Sequence, residues 1–179
     1  MFKTDIDATG IEAVNAQVQA TEKQIKLAFN KAATSTTSWM RRTAKRMMTQ
    51  GLKLRSGAVL KRRIIIRRRS NKGLSSFQFW VGINDLRLED FKGRVSQSGK
   101  GVRIGDHFIK GGFLMRTKNG KRIVMQRSAD PRLPVERPTA PIEDEARAIV
   151  EKIHREASGY FLKCYRQELY GMIARGYGS

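Results

Sequence analysis

The hydrophobic period of this chain changes near residue 63, and that change restricts it to folds that join long helices to antiparallel strands. Before it, Ile11, Val14, Val18, Ile25 and Phe29 recur at helical spacing. This predicts an amphipathic helix over residues 11–33, with Thr21 or Glu22 interrupting the stripe. The run Thr34, Ser35, Thr36, Thr37, Ser38 weakens a helix and offers N-cap hydroxyls, so a second helix is expected to start near Ser38. Met40, Ala44 and Met47 mark one of its faces. Arg41 with Lys45, and Arg42 with Arg46, stack four residues apart on the others. A short third helical piece is expected around residues 56–62.

From residue 63 the period is two. Ile64 and Ile66 share one face, and Arg63, Ile65, Arg67 and Arg69 share the other, which describes a strand with an apolar face and a guanidinium face. Phe77, Phe79 and Val81 alternate in the same way. Residues 76–83 are therefore expected to pair antiparallel with the first strand across the turn Ser70-Asn71-Lys72-Gly73, with Trp80 pointing away from the core. Residues 92–112 hold six glycines (93, 99, 101, 105, 111, 112), which suggests a long mobile excursion or a projecting hairpin. Asn119-Gly120 predicts a hairpin turn between 112–117 and 121–127.

All four prolines (131, 134, 138, 141) fall in one stiff crossover, which leaves room for at most a short edge strand. Thr139 and Pro141 then open a last helix. Glu143, Asp144 and Glu145 lie where its dipole favours negative charge. Ile142, Ala146, Ile149, Ile153, Ala157 and Tyr160 form its apolar stripe, Cys164 extends it, and Ser158-Gly159 is a place where it can kink. The expected fold is α+β in a single domain over 1–179. It has an N-terminal helical pair (11–50), an antiparallel sheet of four to five strands (63–138) with a mobile loop at 92–112, and a long closing helix (141–174).

Little of the sequence speaks for catalysis. His107 and His154 are far apart and lack Cys or paired carboxylates at ligand spacing, so neither a metal nor a cofactor is expected. Cys164, the lone cysteine, lies between Phe161 and Tyr165 and reads as a small core residue, which fits folding in a reducing compartment. "GRVSQSGKG" fails as a phosphate loop, because five residues separate Gly93 from Gly99 and Lys100 is followed by Gly. No Gly-x-Ser-x-Gly elbow occurs. The expectation is a protein without enzymatic activity. No apolar run approaches the roughly 20 residues that span a bilayer, and MFKTDIDATGIEA has no signal-peptide core, so a soluble product of the cytoplasm is expected.

Charge is the strongest signal. The chain carries 36 Lys+Arg against 16 Asp+Glu, a net +20. Residues 23–84 hold 16 of the cations and no Asp or Glu. Such regional basicity implies a face that meets a polyanion or an acidic protein surface. The side chains expected to make that contact are Arg62, Arg63, Arg67, Arg68, Arg69, Lys72, Arg94 and Lys100. No helix-turn-helix, zinc-finger or RNP pattern accompanies them.

The passage "LRSGAVLKRRIIIRR", the hairpin end Val124-Met125-Gln126-Arg127, the segment "LPVERPTAPIEDEA" and the long final helix together resemble the minor tail protein Z family of tailed bacteriophages, the tail-completion proteins of lambda-like siphophages. The resemblance covers most of the chain and brings no catalytic motif with it. It implies a structural virion protein at the head-proximal end of the tail, made in the host cytoplasm. Such a protein sits in a ring of copies, with six as the candidate number, beside tail terminator and connector proteins and the tail tube. It would assist head-tail joining and placement of the DNA end. On this reading the arginines face acidic subunits or that DNA, and Met47, Met48, Leu52 and Tyr170 are candidates either for burial between copies or for the subunit core. The alternative is a nucleic-acid-binding module without sequence specificity.

Overall fold

A computed structural model describes residues 2–4, 8–71, 74–127 and 135–177. The chain divides into two compact units. One comprises Met1–Lys45, Arg62–Gly82 and Ala148–Ser179, the other Arg46–Lys61 and Ile83–Arg147.

The first unit opens with strand β1 (Phe2–Thr4) and helix α1 (Ala8–Ala16), and a short connection leads to helix α2 (Glu22–Gly51). The helix break therefore falls at 17–21, not at 34–38 as expected. Two local interactions place it there. Thr21 N–H donates to Gln24 Oε1 at 2.9 Å and Gln24 N–H to Thr21 Oγ1 at 3.3 Å, a reciprocal capping box that starts α2. The hydroxyls expected to cap a second helix are instead absorbed inside α2. Thr34, Thr36 and Thr37 donate to the carbonyls of Asn30, Ala32 and Ala33 four residues back, at 3.0, 2.8 and 2.8 Å.

Helix α3 (Glu143–Ala174) ends in a Schellman motif in this unit. Gly176, at φ +60°, donates to Ile173 O, and Tyr177 N–H donates to Met172 O. The buried Gln24 amide then donates to Tyr177 O at 2.9 Å, tying the chain end to the start of α2. The core here is helical: Val14, Ala28, Ala32, Ala33, Phe161, Tyr165, Leu169 and Met172 are buried together. Tyr165 O–H donates to Asn15 Oδ1 at 2.6 Å, and burial, partly opposed by that hydrogen bond, holds the hydroxyl above its usual pKa. Cys164 lies at the margin of this core and is half-buried.

Strands β2 (Ile64–Asn71) and β3 (Leu74–Val81) pair antiparallel over their whole length, and β1 adds to the far side of β3. Residues 72–73 of the expected turn lie outside the described residues. Ile64, Ile66 and Phe79 are buried and Trp80 is 43% exposed, as the two-residue period requires.

The second unit takes the end of α2, which closes on Lys53 at φ +49°, and a 3-10 turn at Gly57–Leu60 within the expected 56–62 piece. A second 3-10 turn lies at Leu88–Asp90. Where a mobile excursion or a projecting hairpin was expected, the glycine-rich region forms an antiparallel meander of two hairpins: β5 (Val95–Ser98), β6 (Gly101–Ile104) and β7 (His107–Lys110). Val102 and Ile104 are its buried anchors. Several of its glycines serve close packing. A Cβ on Gly93 would stand 2.3 Å from Gly105 N, and one on Gly105 would stand 2.5 Å from Lys92 O.

Strands β8 (Gly112–Arg116) and β9 (Arg122–Arg127) form the hairpin predicted at Asn119-Gly120. Of the proline crossover, β10 (Val135–Glu136) pairs with β9, and β11 (Thr139–Ala140) pairs with β4 (Leu86–Arg87). Residues 131–134 lie outside the described residues. Among the described residues the strands form four small antiparallel sheets of two or three strands in place of one sheet of four to five. Met48 and Leu52 are buried in the chain's own core, whereas Met47 is half-buried and Tyr170 exposed.

Candidate interaction surface

The outward face of the β2–β3 ladder carries part of the expected basic stripe. Ile65 stands opposite Trp80, and Arg67 opposite Gln78. These four side chains line an open groove of about 350 Å³. Gly82 makes room for the tryptophan, because a Cβ there would meet the Trp80 ring at 3.0 Å and Arg63 Cγ at 3.6 Å. Arg63 is half-buried beside that ring and its carbonyl accepts from Gly82 N–H at 2.8 Å, while Arg62 and Arg67 are exposed. Arg68 and Arg69 continue β2 opposite Phe77 and Ser76. Lys72 lies outside the described residues.

Arg94 and Lys100 are exposed in the second unit, before β5 and in the β5–β6 turn respectively. In the same meander Arg103 lies over the exposed Phe108 ring, 5.5 Å from its centroid. That unit also has a pocket of about 260 Å³ whose lining includes Lys53, Phe91, Asp106, His107 and Glu145. Lys53 Nζ meets Asp106 Oδ2 at 2.6 Å, and His107 packs against Phe91 with ring centroids 4.4 Å apart. The hydrogen bond and opposite charge raise the Lys53 pKa and lower that of Asp106. Both side chains are largely exposed, so the pair reads as an ordinary surface ion pair. Among the described residues no group of three or more His, Cys, Asp or Glu could hold a metal ion.

Sequence reasoning missed a third arrangement, on α2 in the first unit. Thr34, Ser35, Ser38, Arg41, Arg42 and Tyr160 line an open pocket of about 500 Å³. Its wall is fixed by Trp39 stacked on Tyr160, with centroids 4.5 Å apart and planes 11° from parallel. The spacing 34, 38, 41, 42 places hydroxyls and guanidiniums on one helical strip. That signal was in the sequence, but reading the hydroxyl run as a helix boundary divided it.

Long helices, small antiparallel sheets and an acid-free basic segment invite comparison with known proteins. A family model described as prophage minor tail protein Z (GPZ) matches residues 3–170. The chain belongs to that family. It is a bacteriophage tail protein and so a component of the virion, and the resemblance carried by Val124–Arg127 and the proline segment is correct. No curated protein and no solved structure gives a match. Among the described residues of this tail protein, no helix is long and apolar enough to cross a membrane.

Proposed function

We propose that the chain completes the head-proximal end of the tail, as one member of a ring of copies, and assists head-tail joining and placement of the DNA end. Family membership over residues 3–170 carries this reading. The charge pattern supports it, since 16 cations without a carboxylate over residues 23–84 suit a junction where acidic subunits and the DNA end converge. The partners are further copies of the chain, tail terminator and connector proteins, the tail tube and the DNA end. Arg62, Arg63, Arg67, Arg68, Arg69 and Lys72 of the first unit, with Arg94 and Lys100 of the second, are the proposed contact residues.

Reconstitution tests this. Tails assembled without the protein should join filled heads poorly, and added purified protein should restore joining. The Arg62→Gln/Arg67→Gln variant, altered only at exposed positions, should restore it at least about tenfold less well, the loss of roughly 1.4 kcal/mol of contact energy. Equal joining by tails lacking the protein would rule the proposal out. The regional basicity also favours a second reading, a nucleic-acid-binding module acting outside the tail. Under that reading the protein would leave joining unchanged and bind nucleic acid with a steep salt dependence.

A further inference from the structure

We infer that the α2 pocket lined by Thr34, Ser35, Ser38, Arg41, Arg42 and Tyr160 is a phosphate site, and that its ligand is the phosphodiester backbone of duplex DNA. The choice of DNA as ligand rests on the tail-junction reading above; the phosphate chemistry does not.

The donors fit an anion. Arg41 and Arg42 are exposed and form no ion pair among the described residues, and no carboxylate lines the pocket. Ser35 and Ser38 have no side-chain hydrogen bond among the described residues, so both hydroxyls are available to donate. Thr34 is different: its proton is already given to Asn30 O, so it shapes the wall without donating. Tyr160 also shapes the wall: burial, and the charge and hydrogen bond of its neighbour Cys164, raise its pKa while Arg42 opposes them, and with its hydroxyl engaged by Cys164 it is not counted among the donors. Guanidinium forks bind phosphate oxygens bidentately where an ammonium acts as a point charge, so two arginines beside two serines form a directional set.

The shape favours a polymer over a free ion. The strip from Thr34 to Arg42 runs about 12 Å along the helix and stays open to solvent, so a strand can enter and leave it. The wider segment, without an acidic side chain from 23 to 84, raises the local concentration of any polyanion.

The test uses the full chain, a short fluorescent duplex and a salt series read by anisotropy. Arg41→Gln/Arg42→Gln should weaken binding about tenfold or more at physiological salt, and should make the slope of log K against log salt shallower by roughly 1.8, the share of two phosphates. Ser35→Ala/Ser38→Ala should weaken binding about threefold with an unchanged slope, since it removes directed donors and no charge. In a Trp80→Phe background Trp39 is the sole tryptophan, and its emission should respond to duplex binding and lose that response in the Arg41→Gln/Arg42→Gln variant. Affinity and slope equal to wild type in both double variants would overturn the inference. A Trp39 response that inorganic phosphate saturates and duplex cannot displace would also overturn it, by assigning the pocket to a free anion. The assay reads DNA binding by the isolated chain, so its failure leaves the joining experiment to judge the tail reading separately.

Discussion

Gly101→Ala is expected to destabilise the second unit by about 3 kcal/mol or more, a loss at the severe end for a single added methyl. Two effects combine there. Gly101 has φ +150°, where side chains are strained, and a Cβ would stand 2.1 Å from the Ile109 carbonyl oxygen of the paired strand. That oxygen belongs to backbone, so relief requires β6 and β7 to separate and the neighbouring buried Val102 and Ile104 to lose their packing. Gly99→Ala provides the contrast, because nothing lies within 4 Å of a Cβ there. It should change stability by no more than about 0.5 kcal/mol. Urea midpoints of the two variants give the comparison, and near-equal midpoints would mean that the meander is not packed as described.

Phe161→Ala is expected to cost about 3–5 kcal/mol, as for other buried aromatic truncations. Phe161 is 1% exposed at the centre of the helical core, edge-on to Phe29 at 5.1 Å and stacked on Tyr165 at 6.0 Å between centroids. The cavity would be walled by Tyr165, which is itself held by its hydrogen bond to Asn15, so the site cannot collapse to fill it. Tyr170→Ala removes an aromatic side chain of the same helix that is 43% exposed, and should cost far less. Comparable losses from the two would contradict the assignment of the core to α1, α2 and α3.

The sheet hairpins were legible because a two-residue period and a turn dipeptide are local signals. Ile64 and Ile66 went inward, Trp80 outward, and Asn119-Gly120 closed β8 and β9. The apolar stripe of α3 was legible for the same reason, although Val150, Phe161, Tyr165, Leu169 and Met172 carry more of its burial than the stripe named.

Two errors came from composition that tertiary geometry overrode. Threonine hydroxyls at 34, 36 and 37 bond back to carbonyls within the helix, whether exposed or buried, so the hydroxyl run does not end α2, while the Thr21–Gln24 box starts it. Glycines at 93, 101 and 105 allow backbones to touch, and close approach looks the same as looseness in a bare sequence. The candidate site divides likewise. The β2 stripe followed from alternation, but the α2 pocket needs Tyr160, 118 positions beyond Arg42, and no local pattern joins them.

The most direct test of the account is where the chain sits in the particle. Electron microscopy of purified tails carrying the gold-labelled chain should show label as a ring at the end that meets the head, and none along the tube. Label at the host-facing tip, distributed along the tube, or missing from tails altogether would contradict the assignment to the head-tail junction.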